Sequence, residues 1–580
     1  MNFGPDRAFP EQRSKRERKL WSQFDALQLG TGWAEEDILK PQILIEDVFG
    51  DSHPGSEHLN DLSVQVEHGV YTRGGHPAHF HTTDICDGCA QGHDGMNFVL
   101  ASRETIADMV EVHGRHQPWD GIVLLSSCDK SVPAHLKAAA RLDLPTIFVP
   151  GGSMRISPNM STSLLAGDIS LRQKRGDVSA AEIRDYKLTG CPSPGACQFM
   201  GTASTMQCMV EALGLCLPGN ALVPATQSEI RDYAHRAGFQ IMELVRSGLK
   251  FSDIVTPRSF CNAICVHAAI GGSTNALLHL PDLAREMGLD VSVDEFDRIN
   301  RVIPHLANIT PSGKYPTELL WDAGGIPMIE WQIRDHLDLD VMTVTGHTLG
   351  ENLERLQQEH YFERVLGYLN NYGLKREDVI KPKEDCELGS IAVLRGNLAP
   401  EGAVVKYAAV EESMRVHTGP ARVFDCEEDC YFAVCRKEIR PGDVLVIRNE
   451  GPRGSGMPEM LMTTEAIVCD HELNGKVVLI TDGRFSGGTR GPCVGHISPE
   501  ARSGGPIALL RDGDLVELNI PERRLAVVGF SGGRADPEEV SAELGRRREN
   551  YVAPPFPKRK GVFGKYTRHA LSAMRGGGIE

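Results

Sequence analysis

The run VLLSSCDKSVPAHL, Val123 to Leu136, ends an apolar stretch in a thiol, a carboxylate and an amine: Cys128, Asp129 and Lys130. A second Cys-Asp pair, Cys86-Asp87, stands in ICDGCAQGHDGM (85–96), followed by Gly88, Gly92 and Gly95. Those glycines let backbone come close to a ligand. A third thiol, Cys197, sits in the Gly/Pro loop CPSPGACQFMGTASTM (191–206). Three thiolates without a fourth ligand suit an iron–sulfur cluster that keeps one iron open to substrate. Two of them precede an Asp, so a hard oxygen-ligand site such as Mg²⁺ would lie beside the soft cluster. Glu450 and Glu459, in NEGPRGSGMPEM (449–460), are further oxygen donors, and Ser486 lies in a Gly-rich loop directly after VVLIT. The bland alternatives are a polar turn with a buried Cys at 128, a helix cap with small packing residues at 197, and plain turn chemistry in the Gly-rich loops. Cys86 and Cys89 also form C-x-x-C, a zinc or redox pattern. No second C-x-x-C completes a structural zinc site, and His76, His79 and His81 nearby read as surface or core histidines.

These residues need strand ends and helix starts to hold them. DGIVLLSS (120–127) reads as a buried strand, PAHLKAAARLDL (133–144) as a helix opening on Pro, and PTIFVPGG (145–152) as the next strand. Strand, helix, strand in that span is a βαβ unit and predicts a parallel sheet. Cys128-Asp129-Lys130 then falls at a strand's carboxyl end, where ligands bind in open α/β sheets. The following helix start would favour a thiolate there. The stretch 260–288 is helical at both ends and broken at Gly271-Gly272. After Pro382, short strands alternate with Gly and Asp-Gly turns and helical patterns become scarce, which predicts a β-rich second domain, barrel or sandwich. VAPPFPKRKG (552–561) reads as a linker.

The bulk numbers set limits. The chain has 580 residues, 41% hydrophobic and 24% charged, ordinary for a globular enzyme. A net charge of -17 argues against nucleic acid or an anionic membrane as partner; the basic run Arg13 to Lys19 reads as a solvated helix start. No apolar stretch approaches the length of a membrane span, and the N-terminal residues lack the apolar core of a secretory signal, so the expected compartment is the cytosol. Fifteen scattered cysteines in that compartment are not a disulfide framework.

Together these stretches resemble a known family. CDGxxxGHDGM, the run from Ser102 to Asp108, the CDK segment, GGSTNALLHL (271–280), PSGKY (311–315), LRGNLAPEGAVVK (394–406), GPRGSGMPEM and TDGRFSGGTRGPCVGHISPEA (481–501) are similar to the dihydroxy-acid/phosphogluconate dehydratases, which include sugar-acid dehydratases. The likeness runs from about Ile43 to Glu543. It implies an α/β fold: an N-terminal α/β/α domain with a parallel sheet (1–380) and a C-terminal β-barrel-like domain (381–580). The first thirty or so residues would pack on the C-terminal domain or a partner, and the assembly would be a homodimer or dimer of dimers. The resemblance also implies an iron–sulfur cluster on Cys86, Cys128 and Cys197, and Mg²⁺ on Asp87, Asp129 and Glu459. Lys130 matches a lysine carbamylated to bind Mg²⁺ in some members, and Ser486 matches the catalytic base.

Two departures bear on cluster and substrate. Members with a [2Fe-2S] cluster carry a Cys in an N-P-C-like loop; the corresponding loop here, SHPGSEHLN, has Gly55 and Ser56 and no Cys, so the third thiolate falls to Cys86 and a [4Fe-4S] cluster is favoured. The loop GACQFMGTASTM looks like the sugar-acid members, whereas FSGGTRGPCVGHISPEA looks like the branched-chain members. The expected activity is dehydration of a sugar acid (a pentonate or hexonate) to its 2-keto-3-deoxy acid. The alternative is dihydroxy-acid dehydration in branched-chain amino-acid synthesis. A redox iron–sulfur protein and a zinc-binding protein are the readings from other classes.

Overall fold

The computed structural model describes residues 9, 12–18, 21–554 and 559–580. Lys19 of the basic run and residues 555–558 of the proline-rich stretch lie outside the described residues.

The N-terminal sheet holds β1 (Gln42–Asp47), β2 (His76–His81), β3 (Gly121–Ser126) and β4 (Thr146–Pro150), all parallel, in the order β2-β1-β3-β4. The expected βαβ unit is present: β3, the helix Ser131–Leu142, then β4. Ile122 to Leu125 of β3 are fully buried, each side chain contributing roughly 1.5–3 kcal/mol. Burial on both faces is why β3 reads as a continuous apolar run. From β1 the chain steps one way to β2 through the helix Leu59–Thr72. It then steps the other way to β3 and β4, through the helices Val99–Arg115 and Ser131–Leu142. Right-handed crossovers therefore place the first helix on one face and the other two on the opposite face. The direction reverses between β1 and β3, so the loops leaving those two strands flank a crevice at their carboxyl ends.

The second sheet has nine strands: β5 (Ala392–Leu394), β6 (Gly402–Val405), β7 (Val416–Phe424), β8 (Val444–Ile447), β9 (Val478–Thr481), β10 (Cys493–Ser498), β11 (Leu515–Asn519), β12 (Arg524–Phe530) and β13 (Gly533–Arg534). Their order is β13-β12-β11-β7-β8-β9-β10-β6-β5. The sheet curls until its ends meet: Arg395 N donates to Arg523 O at 2.9 Å, and Leu525 N to Arg395 O at 2.9 Å. A Cβ at Gly396 would lie 2.1 Å from Leu525 O, so that closure requires glycine. The barrel-like reading holds.

Its helix content is a correction. β7, β8, β9 and β10 are parallel neighbours, and parallel strands need crossovers. The helices Glu427–Cys435 and Leu461–Val468 supply the first two, the loop 482–492 that carries Ser486 supplies the third, and Pro537–Glu549 and Gly561–His569 follow the sheet. Glu427–Cys435 buries Glu427, Cys430, Tyr431 and Val434 on one stripe, but the stripe opens on a charged residue while apolar Phe432 faces out, so the apolar period is blurred in the sequence.

Of the first thirty residues, the described ones lie against the N-terminal unit. Ser14 N donates to Asp120 Oδ1 at 3.0 Å, and Gln28 Nε2 to Gln42 Oε1 at 3.3 Å. Among the described residues no helix is long and apolar enough to cross a membrane.

Candidate active site

The loops leaving the first sheet carry the expected thiols. Cys86 follows β2 and caps the short helix Asp87–Ala90. Cys128 lies between β3 and Ser131–Leu142, with its carbonyl accepting from Ser131 Oγ at 3.3 Å. Cys197 precedes the helix Thr202–Ala212; Ser204 Oγ donates to its carbonyl at 3.1 Å. Its loop is tied to the crevice on both sides. Gly195 N donates to Pro54 O at 2.8 Å, and Met154 N to Ala196 O at 2.8 Å. Cys86, Cys128 and Cys197 line one cavity of about 480 Å³, together with Asp87, Asp129, Glu459 and Ser486.

Glu459 and Ser486 come from the second unit. Ser486 follows β9, and its Oγ accepts from Gly488 N at 3.2 Å. A Cβ at the next residue, Gly487, would sit 2.4 Å from Gly201 Cα. Only glycine lets the Ser486 loop touch the Cys197 loop so closely.

Asp87, Asp129 and Glu459 bring carboxylate oxygens within 4.8 Å of one another. Two cations stand among them. Lys130 Nζ donates to Asp87 Oδ2 at 2.7 Å, and Arg484 donates to Asp87 Oδ2 at 3.1 Å and to Glu459 Oε1. Asn275 Nδ2 and Gln91 Nε2 also donate to Glu459, at 3.0 and 3.1 Å. Although burial opposes it, Lys130 and Arg484 hold Asp87 below the usual carboxylate range. Asp129 goes the other way: burial, then Asp87 and Glu459, push it up to about 8. Asp87 Oδ1 is buried without a hydrogen-bond partner among the described residues. Three carboxylates against two cations, with an oxygen free, fit a bound divalent cation.

The thiols behave alike. Hydrogen bonding to Cys128 raises the Cys86 thiol. The same bond pulls Cys128 down, but burial and the Asp84, Asp129 and Asp87 carboxylates outweigh it and push that thiol up to about 12. Burial raises Cys197 well above the ordinary thiol. The expected favouring of a thiolate by the helix start is therefore overridden by burial beside carboxylates. Thiols so placed ionise on binding a soft metal, and three on one cavity fit a cluster.

Family models match both units: the dihydroxy-acid/6-phosphogluconate dehydratase N-terminal model at residues 40–352 and its C-terminal counterpart at 378–577. The chain belongs to this family. It is 43% identical over 567 residues to a dihydroxy-acid dehydratase of Halothermothrix orenii, covering 96% of this chain and 97% of the relative. It is also similar to the dihydroxy-acid dehydratases of Methanosarcina barkeri (43% over 564 residues, 96% and 97%) and Moorella thermoacetica (42% over 562 residues, 95% and 96%). The chain is thus a dehydratase, a hydro-lyase.

These names favour the alternative over the sugar-acid expectation. The structure also bears on the Cys197 loop. Gln198 of that loop is fully buried and hydrogen-bonded to backbone and to Ser157 Oγ. Its Nε2 donates to Arg155 O at 3.0 Å and its Oε1 accepts from Ser163 N at 2.9 Å. Phe199 lines the cavity instead.

Other expectations also change. Glu450 does not line the cavity; it is buried beside Asp482, with Oε1 accepting from Glu427 N at 3.3 Å. Cys89 does line it and hydrogen-bonds Cys86, so the C-x-x-C pair belongs to this site. His53, Arg484, Asn275 and Gln91 are additions. His53 has a ring nitrogen within 4.8 Å of Cys86 and Cys128, and its Nε2 donates to Asp84 Oδ1 at 2.9 Å. Arg484 stands two residues before Ser486 in TDGRFSGG, so the motif contained it, but the Gly-rich loop read as plain turn.

Proposed function

We propose that this chain dehydrates a short 2,3-dihydroxy carboxylic acid with a branched aliphatic tail to the 2-keto acid. The observation that carries the reading is the apolar wall of the cavity. Met154, Leu164, Leu171, Phe199, Leu461 and Met462 line it. A polyhydroxy tail facing that wall would lose its hydrogen bonds to water without replacement, whereas a methyl or ethyl branch gains from burial.

An iron–sulfur cluster on Cys86, Cys128 and Cys197, with Mg²⁺ on Asp87, Asp129 and Glu459, would supply Lewis acidity to the 3-hydroxyl and to the carboxylate and 2-hydroxyl. Lys130 Nζ, 2.7 Å from Asp87 Oδ2, holds that carboxylate in place; as a carbamate it would offer an oxygen donor instead. Arg484, Asn275 and Gln91 fix Glu459 from three sides. Ser486 Oγ takes the C2 proton, the C3–oxygen bond breaks, the departing hydroxide takes that proton from Ser486 and leaves as water, and the enol tautomerises. The Gly488 amide donating to Ser486 Oγ favours its ionised form. The apolar wall keeps bulk water from the tail.

Gly55 supports a [4Fe-4S] rather than a [2Fe-2S] cluster. A Cβ there would lie 3.2 Å from Cys128 Sγ, so a cysteine at that position would join the thiol group, and this chain has none. Mössbauer spectra of anaerobically purified protein test this.

The deciding experiment offers that protein 2,3-dihydroxyisovalerate and a panel of pentonates and hexonates, scored by 2-keto acid formation. The expected kcat/KM favours dihydroxyisovalerate by about 10²-fold or more. Preference for any aldonate overturns the substrate assignment.

A further inference from the structure

A second set of metal-type donors lies outside the cavity. Asp47 ends β1, and His79 and His81 end β2. The parallel register pairs Ile45 with His79 and Asp47 with His81. Residues two apart on a strand share a face, so all three side chains leave the same side of the sheet. Their donor atoms lie within 4.8 Å of one another. His79 Nε2 is 2.6 Å from Asp47 Oδ2, and His81 Nδ1 is 2.6 Å from Oδ1. Ser63 Oγ and Phe49 N donate to the same carboxylate and fix its plane. Asp47 is fully buried, whereas the His81 side chain is 42% exposed, which leaves an open path from solvent.

His79 stands between two carboxylates, because its Nδ1 is 3.5 Å from Glu67 Oε1. A neutral imidazole has one N–H and can serve only one of them. Two states satisfy both sides: an imidazolium, or a neutral ring with a metal on Nε2 and its Nδ1–H aimed at Glu67. The second is the carboxylate–histidine–metal relation found around bound metals. It also avoids placing a charged ring beside His81, whose centroid is 4.2 Å away.

We infer that Asp47, His79 and His81 bind a divalent transition-metal ion of the zinc class, with Glu67 as the outer carboxylate. Two imidazoles and one carboxylate suit such an ion, and water completes its shell. The ion would pin the base of the segment 82–86 that delivers Cys86.

The test is equilibrium dialysis of Zn²⁺ against the cluster-loaded protein, with iron and sulfide measured alongside. Wild type should take up one equivalent of zinc. His81→Ala, at an exposed position, should weaken uptake more than Glu67→Gln, which should cost roughly tenfold. Iron and sulfide should stay unchanged in both. Equal zinc uptake by wild type and His81→Ala overturns the inference, as does absence of saturable uptake. Uptake that survives His81→Ala and disappears on cysteine alkylation overturns it too. Because the readout is zinc, its failure leaves the substrate reading untouched.

Discussion

Two buried ion networks in this chain look alike and are built for different ends. The first joins Arg103, Lys137, Glu104 and Asp282. Lys137 Nζ donates to Glu104 and to Asp282, each at 2.6 Å, and Arg103 Nε donates to Glu104 at 2.8 Å. Arg103 also donates to Gly576 O at 3.2 Å, tying the C-terminal residues to the N-terminal unit. Arg285 also pairs with Asp282 at 2.8 Å and Glu286 with Lys137 at 3.4 Å, so three cations meet three anions, and among the described residues no oxygen of the three carboxylates is buried without a partner. The second network joins Asp87, Asp129, Glu459, Lys130 and Arg484. It has one carboxylate too many, Asp129, which burial beside Asp87 and Glu459 pushes up to about 8, and an unpartnered oxygen on Asp87 among the described residues. A balanced network completes itself, while an unbalanced one is completed by something the chain does not encode. The difference separates a structural clamp from a binding site without appeal to motif.

The largest effect should come from the reacting end of the second region. Ser486→Ala removes the proposed base and should lower turnover by roughly 10²–10⁴-fold. Thermal unfolding and the visible spectrum should stay as in wild type. A variant that turns over normally removes Ser486 from the chemistry.

Lys137→Met should do the reverse. Removing one partner from a buried pair leaves uncompensated charge and costs about 3–5 kcal/mol. Denaturant unfolding should shift by that amount, while the protein that remains folded keeps its KM. If activity falls and stability does not, the first network is not the clamp described.

The sequence showed these two regions unequally. The βαβ unit was legible because β3 and β4 are continuous apolar runs and the helix between them carries Pro133 in its first turn. The Cys-Asp pairs were legible because thiol and carboxylate are adjacent in the chain. Arg484 was not, because its partners lie 25 and 397 residues away and only folding brings them together. Closure of the second sheet is hidden for the same reason: Gly396 meets Leu525 across the whole domain. Gln198 shows the opposite failure. Its loop, GACQFMGTASTM, looks like the sugar-acid members as a string, but the direction of the Gln198 side chain, which the string does not encode, is away from the cavity.

Lys406 offers a third case, a buried amine with no hydrogen-bond partner among the described residues. Burial lowers its pKa from 10.5 to about 7. The unfolded state therefore binds the proton more tightly, so the penalty on folding is full below pH 7 and fades as pH rises toward 10.5. Lys406→Met should stabilise the protein by a few kcal/mol at pH 6, at about 1.4 kcal/mol for each unit of lowering. The gain should shrink steadily above pH 7 and be small by pH 10. A gain that does not depend on pH would mean packing, not charge, sets it.

The smallest effect tests the charge count itself. Mg²⁺ at about a hundred times its Kd should add about 2.7 kcal/mol to wild type through binding linkage. Asp129→Asn removes the surplus carboxylate, which without the ion must take up a proton to stay buried, and one oxygen donor together. In EDTA the variant should therefore unfold later than wild type, since three carboxylates no longer face two cations. In Mg²⁺ the order should invert, because wild type gains from the ion and the variant gains little. Lys137→Met should show no such dependence on Mg²⁺, its network being complete without the ion. A variant less stable than wild type in both conditions would mean that Asp129 is held by contacts rather than by the cation, and the contrast between the two networks would fall.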